Sequence, residues 1–372
     1  MLATHLYLHV PFCARRCVYC DFSIAVRPAV PVAEYLEALT AEWSLRHEAS
    51  AFSLSTLYLG GGTPSKLGAD GVARVMDLAA SRAAFQSGAE ITLEANPEDV
   101  SPGTAAAWLT AGINRVSLGV QSFDAATLEW MHRTHDAKQA VDAIHVLREA
   151  GLANLSIDLI FAAPGSLNRS WQRDIDLAMQ LDVPHISVYG LTVEPHTPLG
   201  RRVARNDVSE APEERFEAEF LAGHRALATH GYEHYEVSNY GMPGKHSLHN
   251  WAYWERQPYA GLGPSAHEFD GRMRSWNVAA YAEWARLACD NRTTQAGSEV
   301  LSDAQVQAEE IYLGLRTTQG VRIDGVEASQ VKSWIDAGWA TLSTDSILRL
   351  SPLGWLRLDA LASSLTTFRS RY

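Results

Sequence analysis

Six short runs rich in β-branched, aromatic or leucine residues recur along the first half of this chain, with longer stretches of helical spacing between them. The runs are Thr4–Val10, Ser55–Gly60, Glu90–Ala95, Arg115–Val120, Leu155–Phe161 and His185–Leu191. The helical stretches are Val32–Glu48, Ala69–Ala80, Pro102–Thr110, Ala137–Ala150 and Asn168–Leu181, with Ser101 placed as an N-cap and Gly151 as a C-cap. Strands alternating with helices imply βα units and a parallel sheet. Over about 190 residues the units number six, short of a closed eight-stranded barrel. The expected fold class is therefore α/β, a partial (β/α)6 barrel, with an open doubly wound sheet as the alternative.

Beyond the barrel core, residues 1–200, the polar stretch Gly200–Glu214 marks a boundary, and a helix is expected over about Arg215–His230. Residues 201–300 read as a linking region rich in His, Gly, Tyr and Trp. Residues 301–372 read as a small C-terminal α+β domain of winged-helix-like order, with helices at Ala304–Leu315 and Glu327–Ala337 and strands at Ala340–Ser343 and Ile347–Leu350.

The charge balance is 31 − 43 = −12, which argues against non-specific nucleic-acid binding. The first ten residues lack the basic segment and cleavage site of a signal peptide. No apolar run approaches the roughly 18 residues of a membrane helix. A cytoplasmic protein is expected.

Three of the four cysteines, Cys13, Cys17 and Cys20, fall within eight residues, in the order C-x3-C-x2-C, just after the first expected strand. Clustered thiolates in a reducing compartment suggest a metal. Structural zinc takes four protein ligands, and iron–sulfur clusters usually take four cysteines. Three cysteines on four irons leave one iron open to a substrate. Gly60–Pro64, Glu94, Gln121, Asp158 and Tyr189–Gly190 stand in or at the ends of successive expected strands. In α/β folds ligands bind at the carboxyl ends of strands. All of these residues are expected to face one cavity. Gly261-Leu-Gly-Pro-Ser-Ala266 fits G-x-G-x-x-A, but its proline and the lack of a preceding strand argue against a dinucleotide site.

The run Tyr7-Leu-His-Val-Pro-Phe-Cys13, the three-cysteine spacing and Gly-Gly-Gly-Thr-Pro resemble the radical S-adenosylmethionine (SAM) enzymes, and within them the HemN/HemW family. The resemblance continues through Leu93–Pro97, Gly119–Phe123, Ser156–Leu159, Thr192–Pro195, Tyr235–Asn239 and the tail helix Glu310–Arg316. It implies a 4Fe–4S cluster on Cys13, Cys17 and Cys20, with SAM on the open iron. In the family an electron from the cluster cleaves SAM to methionine and a 5′-deoxyadenosyl radical. It further implies SAM contacts from Tyr7, Tyr19, Gly61, Gly62, Thr63, Glu94, Gln121, Arg133, Asp158 and Gly190. The glycines are expected to let backbone approach the cofactor, and Arg133 to meet its carboxylate.

Two departures point to the HemW branch. HemN coproporphyrinogen dehydrogenases carry a further cysteine where this chain has Phe22, and a longer segment before the cluster than the twelve residues here. In addition His249-Asn-Trp-Ala-Tyr-Trp254 matches the H-N-x-x-Y-W motif associated with haem in that branch, which implies haem contacts from His249, Asn250, Tyr253 and Trp254. Phe161-Ala-Ala-Pro-Gly165 differs from the family's Gly-Leu/Ile-Pro-Gly turn. The function implied is that of a haem chaperone, receiving haem and passing it to an acceptor haemoprotein, which the branch allows to be membrane-bound, with an electron donor to the cluster. A peripheral membrane contact is consistent with that. The alternatives are oxygen-independent decarboxylation of coproporphyrinogen III and radical SAM modification of haem.

Overall fold

The computed structural model describes residues 4–48 and 52–370. Six parallel strands carry the barrel: β1 His5–Val10, β2 Phe52–Gly61, β3 Ala83–Ala95, β4 Arg115–Gln121, β5 Leu155–Phe161 and β6 His185–Gly190. Each repeats one alternation. Leu6, Leu8, Val10, Leu57, Leu59, Ile91, Leu93, Val116, Leu118, Val120, Leu155, Ile157, Leu159, Ile186 and Val188 are buried in the apolar core. The residues between them are largely polar: His5, Tyr7, His9, Thr56, Tyr58, Glu90, Thr92, Glu94, Arg115, Ser117, Ser156, Asp158, His185 and Ser187. Side chains on a strand alternate between faces. One face thus packs on the surrounding helices and the other fills the barrel with groups that can bond a polar ligand. The register keeps these layers aligned, with Glu94 opposite Ser117, Ser117 opposite Ser156, and Asp158 opposite Ser187.

The helices between strands run Val32–His47, Gly68–Arg82, Pro102–Thr110, Ala137–Glu149 and Trp171–Gln180. Ser101 caps its helix and Gly151 (φ +98°) follows its own, as the sequence suggests; Ser101 and also Asp136 form reciprocal capping boxes. Trp43 and Trp108 are buried among the core residues. β3 begins seven residues earlier than expected, because Phe52–Leu54 pair with Ala83–Phe85 beyond the register shift at Leu54/Thr56.

The sheet does not stop at six strands. β7 Glu233–Glu236 and β8 Asn239–Gly241 extend it antiparallel past β6, and β9 Ala260–Leu262 pairs parallel with β1. The order is β9-β1-β2-β3-β4-β5-β6-β8-β7, an open sheet with separate edges. After β9 come the antiparallel strands β10 His267–Phe269, β11 Met273–Asn277 and β12 Gln295–Val300. Near the C-terminus, β13 Val321–Arg322, β14 Ala340–Leu342 and β15 Ile347–Leu350 form a small antiparallel sheet with helices at Asp303–Arg316 and Leu358–Arg369. Among the described residues no helix is long and apolar enough to cross a membrane.

Candidate functional site

A cavity of about 470 Å³ opens at the carboxyl ends of the six strands. Cys13, Cys17 and Cys20 line it from the loop after β1, and Gly61, Gly62 and Thr63 from the end of β2. Glu94, Gln121, Asp158 and Gly190 line it from β3 to β6, and Tyr19 and Arg133 from loops. The sequence placed all twelve in one site. Tyr7 stands apart, in an adjoining cavity.

The cysteine loop is held by backbone bonds, with Val18 N–H donating to Met131 O and Leu199 N–H to Val18 O. Thr63 Oγ1 lies 3.4 Å from Cys13 Sγ. Burial pushes the Cys13 thiol up to about 11, and the Cys20 thiol upwards as well. Such thiols ionise on meeting a cation that offsets the cost of burying their charge. Among the described residues no group of three His, Cys, Asp or Glu side chains stands close enough for one metal ion. All three cysteines line one cavity, the donor set a cluster of several irons would use.

Arg133 Nη1 donates to Cys17 Sγ at 3.6 Å, and Nη2 donates to Asn96 Oδ1 and Gly119 O at 2.7 Å each. Its Nε is buried without a hydrogen-bond partner. A buried orphan donor on a guanidinium is costly unless an acceptor arrives. It therefore fits a ligand carboxylate. Across the cavity Tyr58 Oη donates to Glu94 Oε1 at 2.8 Å and Gly61 N to Glu94 Oε2 at 3.1 Å. Burial raises Glu94 to about 7 despite these donors, and the Asp158 charge adds to the rise. Burial also raises Asp158, which accepts from Ser117 Oγ at 3.3 Å. Gln121 ends β4 at φ +69°, a strained conformation of the kind that collects at functional sites.

The glycines have a further reason besides the expected approach of backbone to a cofactor. A Cβ on Gly61 (φ +110°) would stand 2.5 Å from the His9 ring, and one on Gly62 2.7 Å from the Pro11 carbonyl. A Cβ on Gly190 would meet Phe216 at 2.5 Å. These positions are glycine because neighbouring chain occupies the space. Ala162, in the variant turn after β5, sits at φ +58°, where the family's glycine would be unstrained.

A second cavity, about 450 Å³, shares Gly61, Glu94, Asp21 and Phe22 with the first. Tyr7, His9, Ser23, Tyr253, Tyr259, Ser265 and His267 complete its lining. Phe22 is 61% exposed, at the junction of the two. Tyr259, Ser265 and His267 were not singled out as site residues from sequence; the available signal was the Gly261–Ala266 turn beside them.

The H-N-x-x-Y-W motif forms a short helix, Leu248–Trp254, capped by Ser247. It does not present its histidine. His249 is 1% exposed, its Nδ1 lies 2.6 Å from Thr56 Oγ1 and its Nε2 2.8 Å from Tyr253 Oη. Its ring stacks on Tyr58, and burial holds its pKa down to about 3. Both nitrogens are engaged, so in this conformation His249 is closed to iron. Asn250 lines none of the described cavities. Tyr253 faces the second cavity, and also a third of about 210 Å³ that Trp254 shares. There the Arg316 guanidinium stacks over the Trp254 ring at 4.3 Å.

The model of the radical SAM superfamily matches residues 7–178. The chain is 35% identical over 322 residues to "Heme chaperone HemW" of Lactococcus lactis subsp. lactis (strain IL1403), covering 86% of this chain and 83% of that protein. It is 34% identical over 367 residues to the protein of the same name from Mycobacterium tuberculosis (strain ATCC 25618 / H37Rv), covering 97% and 94%. Its fold is similar to that of coproporphyrinogen III oxidase (HemN) from Escherichia coli, with a TM-score of 0.83 at 20% identity over 99% of this chain and 91% of that one. With relatives this similar along almost its whole length, the chain belongs to the HemW family of the radical SAM superfamily.

Proposed function

We propose that this protein is a haem chaperone, which binds haem and passes it to an acceptor haemoprotein. The observation that carries the reading is the second cavity. It is walled by Phe22, Tyr7, Tyr253 and Tyr259, meets the H-N-x-x-Y-W motif at Tyr253, and adjoins the cysteine cavity. Flat aromatic surface suits a porphyrin face. Phe22 stands at the junction, where the resemblance places a further cysteine in the dehydrogenases.

Membership of the radical SAM superfamily implies a 4Fe–4S cluster and SAM. When bound, that pair supplies one-electron chemistry; the protein supplies placement and electrostatics. Cys13, Cys17 and Cys20 hold the cluster in this reading. Arg133 Nε meets the SAM carboxylate, and Glu94 and Gln121 accept from the ribose hydroxyls. Tyr19 and Gly190 border the adenine, Asp158 completes the pocket, and the Gly61–Thr63 backbone lines the methionine side. Tyr7 belongs with the second cavity. Haem contact falls to Tyr253 and Trp254, while Asn250 and His249 support the helix that bears them. The barrel core spans about residues 1–200, the linking region 201–300 and the C-terminal domain 301–372. The protein works in the cytoplasm or peripherally at a membrane, with an acceptor haemoprotein and an electron donor as partners.

The test is anaerobic. Reconstituted protein with haem and an apo-haemoprotein should transfer haem. The same protein with SAM, reductant and coproporphyrinogen III should yield no multiple turnovers to a vinyl-bearing porphyrinogen. Turnover there would overturn the chaperone reading in favour of the dehydrogenase.

A further inference from the structure

The strongest unassigned feature is His267, on the wall of the second cavity. The cavity has two histidines. His9 has both ring nitrogens engaged, Nδ1 with Tyr7 Oη at 3.1 Å and Nε2 with Ser23 O at 3.0 Å. His249, beneath Tyr253, is likewise closed. His267 is exposed, and among the described residues its ring nitrogens make no hydrogen bond or ion pair. Its ring stacks on that of Trp276, directly opposite on β11, with centroids 6.1 Å apart. It is therefore held in place while both nitrogens stay open.

The placement is built. Strand alternation sends Glu268 away from His267, and Glu268 is bonded by Arg46 Nη2 at 3.1 Å and His47 Nε2 at 3.0 Å from the helix Val32–His47. The turn before it is the Gly261–Ala266 segment that imitates a dinucleotide fingerprint. A Cβ on Gly261 would stand 1.9 Å from His267 O, and one on Gly263 (φ +99°) 2.4 Å from His9 O. Buried Glu42 accepts from Gly263 N at 2.7 Å and from Asn277 Nδ2 at 2.6 Å, tying this turn to β11. The glycines and Glu42 thus press the turn against β1 and leave the His267 ring at the mouth of the cavity.

We propose that His267 is the axial ligand to haem iron and that the second cavity is the haem pocket, with Tyr253 and Phe22 on its walls and His249 as the positioning residue of Tyr253. This rests on the haem-chaperone reading above. Neutral imidazole is the form that binds iron, and burial followed by the nearby Arg274 lowers the His267 pKa towards that form. Ligating histidines that are gripped firmly donate their second nitrogen to a protein acceptor, and losing that partner weakens a site by about 10–100-fold. His267 has no such partner. An unsupported ligand suits a cargo that must be surrendered.

The experiment is haem titration of the reconstituted protein, followed by ferric and ferrous absorption spectra, with cluster content as the check on folding. Wild type should show an imidazole-ligated spectrum. Because Tyr253 loses its hold on the His249 ring, His249→Gln should bind haem more weakly but keep that imidazole-ligated spectrum. His267→Ala should lose it and bind haem roughly tenfold or more weakly, at about 1.4 kcal/mol per tenfold, and free imidazole should restore the spectrum. If His267→Ala keeps the wild-type spectrum while haem still binds, the ligand assignment is overturned and the chaperone reading stands. If His249→Gln abolishes the spectrum with the cluster intact, the motif histidine must swing out to iron and the assignment is overturned. If wild-type protein binds no haem, both fall.

Discussion

Glu94 lines both cavities, and its carboxyl is raised to about 7, so its charge state changes near neutral pH. The perturbation is Glu94→Gln. Burial raises the carboxyl from its ordinary 4.5 to about 7. That difference corresponds to a ceiling of about 3 kcal/mol, at about 1.4 kcal/mol per tenfold. The side chain is only half-buried, so solvent screening lowers the expected figure to about 1–3 kcal/mol. The sign follows from linkage. Below pH 4.5 the group is protonated in both folded and unfolded chains and carries no pH-dependent penalty. As pH rises towards 7 the unfolded chain ionises first, so stability is lost across that window and is flat above it. Glutamine does not titrate, although it leaves one of the two donors, Tyr58 Oη or Gly61 N, without an acceptor. The variant is therefore offset but lacks this component of the slope. Urea unfolding of both proteins from pH 4.5 to 8 gives the difference directly. Wild type should fall relative to Glu94→Gln by about 1–3 kcal/mol. Two profiles that run parallel would refute the reasoning, because the carboxyl would then sit in a water-like environment.

Other expectations are narrower. Gly261→Ala should destabilise the fold by about 1–3 kcal/mol in thermal or chemical unfolding, since its Cβ would overlap His267 O; an unchanged midpoint would show that the turn yields freely. Alanine at Cys13, Cys17 or Cys20 should abolish cluster absorption and reduce bound iron, and retention of both would remove that residue as a ligand. Arg133→Lys should weaken SAM binding about tenfold by equilibrium dialysis, because an ammonium cannot hold Asn96, Gly119 and a ligand carboxylate in one plane; equal affinity would place the carboxylate elsewhere.

The barrel was legible because its strands carry a period of two between turn residues, and helix ends such as Ser101 and Gly151 carry their own chemistry. The strands Glu233–Glu236, Asn239–Gly241 and Ala260–Leu262 were not. Each is three or four residues long, and each is a strand because a distant partner supplies its hydrogen bonds. Most of the first cavity was legible because its residues sit at strand ends, whereas Tyr19 and Arg133, on loops, were placed by the family resemblance alone. Tyr7, expected beside the cluster and SAM, lines the cavity that adjoins the cysteine cavity. His249 reads as an open haem ligand until Thr56, 193 positions away, is seen to occupy its Nδ1. Gly61 and Gly62 read as room for a cofactor; the crowding of their Cα positions by His9 and Pro11 is a second reason for glycine there, and it comes from remote chain. In each case the missing information was which remote segment closes on the motif, and a local pattern does not encode it.

That closure has a thermodynamic consequence. Gly61, Glu94, Asp21 and Phe22 belong to both cavities, and Gly61 N is bonded to Glu94 Oε2. A ligand whose hydroxyls donate to Glu94 from the first cavity favours its ionised form and fixes the carboxylate that the second cavity also sees. A flat ligand against Phe22 in the second cavity narrows the positions open to the cysteine loop that bears it. Binding in one cavity therefore changes the free energy of binding in the other, and the change is reciprocal by linkage. The expected outcome is that SAM alters haem affinity by some factor, and that haem alters SAM affinity by the same factor. Coupling free energies between sites are typically about 1–3 kcal/mol, which is about 5–150-fold. Phe22→Ala should reduce the coupling while leaving SAM binding in the absence of haem near its wild-type value, because the Phe22 bond to the Cys20 thiol comes from the backbone, which alanine keeps. Calorimetric titration of each ligand with and without the other tests this. Equal affinities in all four titrations would mean that the shared wall is rigid and the two cavities act as independent sites.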